Sequence, residues 1–286
     1  MSPAIESKAT PVRQLAQVLS NEPEGPGWTL RLAIPEWPGS IPGQFVMIAA
    51  GAEEGVTRQD PLLPRPMAVY RELTPSSDAT SNEMSKSSQI ELLYRVVGRG
   101  TQLLSALAPG ESIKIVGPLG RGFPVEKSSA LAILVGGGTG IASLYELAKS
   151  LLALGRSVLV ILGAQRAADL MGSDAFAALG VELICTTDDG SAGVPGRVTG
   201  PLADRLTQIG ASATVYAVGP TPMMRACAAL ADSQGAACFV SLENPMACGF
   251  GVCLGCAAPR REGGFSLVCR TGPVFAASEL DWEGLA

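Results

Sequence analysis

Four cysteines near the carboxyl end constrain this chain more than any other feature: Cys248-x4-Cys253-x2-Cys256-x12-Cys269. An iron–sulfur rhombus must be reached by thiolates from opposite sides. A short loop with three of them, and a fourth from a later strand or turn, meets that need. The C-x4-C-x2-C…C spacing is that of plant-type [2Fe–2S] proteins. Ala247, Gly249, Gly251 and Gly255 keep the loop small enough for its backbone to wrap closely and aim N–H groups at sulfur. The bland alternatives are a structural zinc site or free thiols. Zinc usually takes two C-x2-C pairs from separate knuckles, and here there is one. The other three cysteines, Cys185, Cys227 and Cys238, lie in apolar surroundings and are expected in the core. Seven cysteines, an odd count, make a poor disulfide framework.

Histidine is absent, which removes the commonest general base and a common metal ligand together. Catalysis is therefore expected to be cofactor-borne, with no catalytic side chain. A net charge of −5 and a pI near 5.0 argue against a nucleic-acid partner. The opening MSPAIESKATPVRQ has no apolar core of a secretory signal, and no run approaches the roughly 20 apolar residues of a membrane span. The expectation is a soluble, cytoplasmic chain without a membrane partner.

The 286 residues divide into three stretches. Residues 1–125 carry short apolar or alternating runs at Gln14–Leu19, Trp28–Ile34, Gln44–Ala49, Met67–Arg71, Ile90–Val97 and Ser112–Val116. Turn-rich pieces such as 21–27 and 38–43 separate them, which predicts a small antiparallel β-barrel. The polar, Ser-rich stretch Leu73–Ser88 reads as a hairpin insertion without chemistry. Residues 126–240 alternate strand and helix. Strands are expected at Leu131–Val135, Ser157–Gly163, Val181–Thr186, Thr214–Val218 and Cys238–Leu242. Helices are expected over Ile141–Leu154, with Gly155 as its cap, and Pro222–Gly235. That alternation predicts a parallel α/β domain. Residues 241–286 hold the cysteine loop as a third subdomain.

Two turns invite a nucleotide. Gly136-Gly137-Gly138-Thr139-Gly140 follows a buried strand and opens a helix, where exposed amides and the helix dipole favour a pyrophosphate. It departs from strict G-x-G-x-x-G, and a plain tight turn remains the alternative. Val218-Gly219-Pro220-Thr221-Pro222-Met223 follows the fourth strand of the same sheet and would line the same crevice. In the first domain, Arg65 and Arg95 are candidates for phosphate contacts and Tyr94 for stacking on a ring, or all three are ordinary strand residues.

The fragments Arg65-Pro66-x-x-Val69, Gly98-x-Gly100-Thr101, GGGTG and Val218-Gly219-Pro220 occur in this order. They end in Ser241-Leu242-Glu243, Met246-Ala247-Cys248 and Cys269 through Phe275. Together they resemble the electron-transfer subunits of NAD-dependent dihydroorotate dehydrogenase complexes, within the ferredoxin–NADP reductase superfamily. The resemblance spans nearly the whole chain. It implies FAD held by Arg65, Pro66, Met67 and Ala68, by Leu93, Tyr94 and Arg95, and by Gly100 and Thr101. It implies a [2Fe–2S] cluster on Cys248, Cys253, Cys256 and Cys269. The nicotinamide nucleotide, NAD(H) as substrate, would lie against Gly136, Gly137, Gly138, Thr139 and Gly140 and against Gly219 and Pro220. Three departures stand out: Ala68 where the family usually has Ser, Ala142-Ser143 where it has Ala-Pro, and Val218 for a common Cys.

The function so implied is transfer of hydride from NADH to FAD and of single electrons through the cluster. The acceptor would be an FMN-containing dihydroorotate dehydrogenase catalytic subunit in pyrimidine (UMP) biosynthesis, assembled as two of each chain. A flavin subunit of a sulfide dehydrogenase or of an electron-bifurcating ferredoxin–NADP reductase is the alternative within the chemistry. A zinc-stapled nucleotide-binding regulator is the alternative outside it. NADH against NADPH stays open at this level.

Overall fold

The structure, a computed structural model, describes residues 10–49, 61–73, 87–125 and 130–285. Its first unit is a seven-stranded antiparallel sheet. The strands are β1 (Val12–Glu24), β2 (Gly27–Ile34), β3 (Phe45–Ile48), β4 (Arg65–Ala68), β5 (Arg71–Leu73), β6 (Ser88–Tyr94) and β7 (Ser112–Leu119). They run in the order β4-β3-β7-β1-β2-β6-β5. The sheet curls so that its edge strand β4 approaches β6. Alternation does the work expected of it: Leu30 faces Leu92 and Leu32 faces Ile90, all buried, with Ile113 and Ile115 on the same core. Each such side chain contributes about 1.5–3 kcal/mol on burial.

Three details differ from the sequence expectation. β1 continues through Asn21–Glu24, because Gly27–Leu30 of β2 pair with it to the end and only Gly25-Pro26 makes the turn. The single strand expected over Met67–Arg71 is two, β4 and β5, with Val69 and Tyr70 between them. A short helix, α1 (Arg99–Ser105), stands where only a strand-closing turn was read. The insertion read over Leu73–Ser88 joins two antiparallel neighbours, β5 and β6, and its residues 74–86 lie outside the described residues.

The second unit is doubly wound. Strands β8 (Leu131–Gly137), β9 (Ser157–Ala164), β10 (Glu182–Thr187), β11 (Val194–Pro195), β12 (Ala213–Val218) and β13 (Ala237–Ser241) are parallel. They alternate with helices α2 (Ala142–Ala153), α3 (Ser173–Ala178), α4 (Thr199–Ile209) and α5 (Thr221–Ser233). β8 is buried along its whole length, as a continuous apolar run in a parallel sheet must be. Helix α2 ends as its glycine predicts. Gly155, at φ +71°, donates to Leu152 O, and Arg156 N–H reaches back to Leu151 O, the two bonds of a Schellman motif. Gly235 closes α5 in the same way.

The last segment adds β14 (Ala257–Pro259), β15 (Phe265–Leu267) and β16 (Val274–Ala276). β14 and β15 form a hairpin, while β16 pairs antiparallel with β13 and completes the order β11-β10-β9-β8-β12-β13-β16. The strand order reverses between β8 and β12, the switch point where doubly wound sheets bind ligands. The units share cores: Phe45, Met47 and Leu119 of the first sheet pack in one buried cluster with Val215, Cys256 and Cys269. A second tie runs from β5 to α2. The Arg71 guanidinium lies 4.5 Å from the Tyr70 ring and 4.7 Å from that of Tyr145, and pairs with Glu91 at 3.0 Å. Glu72 N–H donates to Glu146 Oε1 beside it. These contacts fix the first turn of α2 against the curled sheet.

Candidate functional site

The cysteine loop bends where its glycines allow it. Gly249 and Gly251 have φ of +83° and +89°, values that side chains rarely adopt. A Cβ on Gly249 would also come within 2.4 Å of Met47, so the loop is pressed onto the curled sheet at that point. The four thiols come as two pairs. Cys253 N–H donates to Cys248 Sγ at 3.5 Å, and Cys269 N–H to Cys256 Sγ at 3.4 Å. Within each pair the two thiols are close enough to act on one another's charge, as Cys248 is on that of Cys269. Cys256 and Cys269 are buried, whereas Cys253 is exposed.

Two pairs of thiols, one deep and one near the surface, are a donor set that the two irons of a [2Fe–2S] rhombus could share. The local backbone already favours thiolate at one corner. Burial acts to raise the Cys248 thiol, but amides of Cys253, Phe250 and Val252 donate to it and bring it down to about 6. Burial and the neighbouring Cys256 instead push Cys269 up to about 12. Cys227 and Cys238 are raised by burial, as core thiols should be, and take no part.

Seven of the nine residues proposed for FAD meet in one cavity of about 320 Å³ where all three segments join: Pro66, Met67, Ala68, Leu93, Tyr94, Arg95 and Thr101. Arg65 and Gly100 stand together outside its lining. A Cβ on Gly100 would sit 2.4 Å from the Arg65 guanidinium, so glycine lets that group lie on the start of α1. One of its N–H groups donates to Leu63 O. Tyr94 is locked from behind, its hydroxyl donating to Asn21 Oδ1 at 3.0 Å, and burial raises its pKa. The Thr101 hydroxyl is spent on its own turn: it accepts from Val97 N–H and Gly98 N–H and donates to Gly98 O. Arg95 lies 3.9 Å from Asp169, a carboxylate held below its usual range by the hydrogen bond from Arg166 and already bonded to it at 2.9 Å. An apolar slot with an arginine at hand suits a flavin ring and its phosphates.

The cavity also has walls that motif reading did not single out as site residues: Ser143 from α2, and Ser241, Glu243, Asn244 and Met246 from the segment leading to the cluster. The Glu243 side chain opens to the cavity, and burial in its surroundings raises the carboxyl above its ordinary value. The fragments Ser241-Leu242-Glu243 and Met246-Ala247-Cys248 and the departure at Ala142-Ser143 were the hints of this wall.

The two nucleotide turns touch. A Cβ on Gly140 would lie 2.7 Å from Val218 O, and one on Gly219 3.2 Å from Gly137 Cα. Gly137 also meets Met223 and Pro220. Three of the glycines thus serve close packing at the switch point. Gly138, at φ +58°, has nothing near its would-be Cβ, and Thr139 lines the cavity. The open amide-bearing corner is therefore Gly138–Thr139, just ahead of α2.

Residues 243–281 match the family described as the iron-sulfur cluster binding domain of dihydroorotate dehydrogenase B, and residues 134–229 match the oxidoreductase NAD-binding domain. The dihydroorotate dehydrogenase B (NAD(+)) electron transfer subunit of Bacillus caldolyticus is 40% identical over 243 residues, covering 84% of this chain and 86% of that one. The subunit of the same name from Caldanaerobacter subterraneus subsp. tengcongensis is 39% identical over 250 residues, covering 86% and 90%. The solved structure of an NADH-dependent reduced ferredoxin-NADP oxidoreductase, studied for flavin-based electron bifurcation, is similar at a TM-score of 0.76 and 31% identity. That match covers 94% of this chain and 91% of the other. A ferredoxin reductase of carbazole 1,9a-dioxygenase shares the fold at a TM-score of 0.64 and 18% identity, over 80% of this chain and 68% of its own.

Proposed function

The chain belongs to the family of dihydroorotate dehydrogenase B (NAD(+)) electron transfer subunits, and on that premise we propose that it carries electrons from NADH to a catalytic partner. The partner is an FMN-containing chain that oxidises dihydroorotate in pyrimidine biosynthesis, in a complex of two copies of each. When bound, FAD supplies hydride acceptance and the [2Fe–2S] centre one-electron relay. The polypeptide supplies place, dielectric and hydrogen bonds. Cys248, Cys253, Cys256 and Cys269 hold the cluster. Arg65 on Gly100 and Arg95 offer guanidinium N–H groups to phosphate, while Pro66, Met67, Ala68, Leu93 and Tyr94 wall the ring and Thr101 shapes the loop beside it. Gly138 and Thr139, ahead of α2, receive the nicotinamide nucleotide, with Gly136, Gly137, Gly140, Gly219 and Pro220 bringing their turns close enough to make the crevice.

One observation carries the reading. Met246 lines the flavin cavity and Cys248 follows two residues later, a separation of at most about 7 Å along the chain. Cavity and cluster are thus joined by a single short stretch of backbone. No helix among the described residues is long and apolar enough to cross a membrane. The compartment proposed is the cytoplasm, whose reducing conditions suit thiols that serve a cluster. The domain limits proposed are 1–125, 126–240 and 241–286. The loop residues Phe250, Val252 and Leu254 are 57%, 73% and 62% exposed, and we assign them to the partner-facing surface.

The test is reconstitution. The purified chain should reduce artificial acceptors from NADH and leave dihydroorotate untouched, and should confer NAD-dependent orotate formation when mixed with an FMN-bearing catalytic chain. Failure to couple, together with NADH-dependent reduction of ferredoxin or sulfur compounds in its place, would move the chain to the bifurcating or sulfide reading. The 31%-identical structure keeps that second reading in view.

A further inference from the structure

The junction cavity is lined from both units. On the side of the curled sheet, Phe45, Pro66, Met67, Ala68 and Leu93 present carbon, alongside Tyr94, Arg95 and Thr101. On the α/β side stand two hydroxyls, Ser143 in the first turn of α2 and Ser241 at the end of β13. These serines are 7% and 4% exposed, and neither hydroxyl has a hydrogen-bond partner among the described residues. Among those residues, the only fully enclosed side-chain nitrogen or oxygen without a partner is Arg71 Nε. The two serine oxygens are therefore not sealed in protein; they are reached from the cavity. A hydroxyl that opens on a cavity without a protein partner is free to bond a ligand or water there. Two of them from the α/β side, with apolar side chains among the rest of the lining, suit a ring with polar atoms along its edge. At about 320 Å³ the cavity is at the small end of ligand pockets, which run from about 300 to 1,000 Å³, room for one ring system.

We propose that Ser143 and Ser241 hydrogen-bond the heteroatom edge of the isoalloxazine ring from the α/β side and set the balance of affinity between oxidised and reduced flavin. The inference rests on the FAD reading given above. A hydroxyl suits the task because it both donates and accepts. Reduction converts ring nitrogens from acceptors to N–H donors, so the same hydroxyl donates to the oxidised ring and accepts from the reduced one, two bonds of unequal strength. Ala68 offers no such group, and the Tyr94 and Thr101 hydroxyls are committed elsewhere, which leaves Ser143 and Ser241 to meet the ring beside Thr139, Glu243 and Asn244.

The experiment uses the full chain with FAD and cluster loaded, as Ser143→Ala, Ser241→Ala, Ser143→Thr and Ser241→Thr. Readouts are the visible flavin band, the FAD dissociation constant, the two-electron midpoint potential and the unfolding temperature of the flavin-free protein. The alanine variants should keep FAD and iron but change the ratio of oxidised to reduced flavin affinity by about three- to tenfold, tenfold being about 30 mV for a two-electron couple. Threonine should restore the wild-type value. Flavin-free alanine variants should be no less stable than wild type, because each loses a hydroxyl that had no protein partner. If all variants bind FAD with unchanged band, affinity and potential, the inference is overturned and the FAD reading stands. A change confined to NAD+ affinity overturns it too and gives the hydroxyls to the nicotinamide. If the wild-type chain binds no FAD, the underlying reading falls and the inference with it.

Discussion

The cysteine loop and the GGGTG turn are both glycine-rich, and their glycines do opposite things. In the loop, Gly249 and Gly251 take up positive φ and wind the chain around two pairs of sulfurs. In the turn, Gly136, Gly137 and Gly140 are there for what they lack, since a Cβ on any of them would strike a neighbouring strand, turn or side chain. One set of glycines winds a cysteine loop and the other allows two turns to touch. The first can be read from sequence because its cysteines state the chemistry. The second resembles any tight turn until the fold shows what lies against it. Glycine content alone therefore locates a site poorly; what neighbours the glycine decides.

The sharpest test of the contrast is to remove a thiol from the loop. Cys253→Ser should abolish the cluster, read as loss of iron and of the visible bands, while FAD content stays near one per chain. Stoichiometric zinc in place of iron in the wild-type chain would break the comparison at its root. Next in size, Phe250→Asp should weaken complex formation with the catalytic chain by about 2–4 kcal/mol if that side chain is a central anchor, with iron content unchanged. Binding measured between purified chains decides it. Intact binding with a bleached cluster would show that Phe250 shields sulfur and that the docking surface lies elsewhere. Arg65→Ala should then weaken FAD retention by about 1.5–3 kcal/mol, the worth of a charge-assisted bond, seen as a raised FAD dissociation constant.

Much of this architecture was legible, for physical reasons that also explain the gaps. Strand β8 declares itself because a strand covered on both faces is apolar throughout, and α2 because its glycine stop is chemically obligatory. Helix α1 does not, since Gly98-Arg99-Gly100 reads as a loop and seven residues hold too few turns for a period to show. Helix α4 buries only Leu202 and Leu206, and the Gly- and Pro-rich stretch before it masks that weak signal. That Cys248, Cys253, Cys256 and Cys269 belong to one unit was legible by spacing alone, and the structure sets them in two pairs. Ser143 and Ser241 were not legible, because they lie nearly a hundred residues apart and become one wall only when β13 and the start of α2 close on the curled sheet. Arg65 and Gly100 gave the same difficulty, and there the fragment order supplied what local chemistry could not.

The smallest effects divide the nucleotide turn against itself. Gly140→Ala would place a Cβ 2.7 Å from the Val218 carbonyl oxygen and 3.0 Å from Gly219 N, backbone atoms that no side-chain rotation can move. The two turns must part, and overpacking of this kind costs about 1–3 kcal/mol. Gly138→Ala meets nothing, so its penalty is only that of a left-handed residue at φ +58°, about 1–2 kcal/mol. Denaturant unfolding should therefore find Gly140→Ala the less stable. Nucleotide binding should reverse the order for each unit of stability lost, since Gly138 is the open corner where a phosphate would approach and a methyl there stands in its way. Titration of NADH into the two variants reads this directly. Should Gly138→Ala bind NADH as wild type does, the phosphate must be held elsewhere along the switch point. The open glycine would then be one more turn residue, and the difference between the cysteine loop and the GGGTG turn would be wider than drawn here.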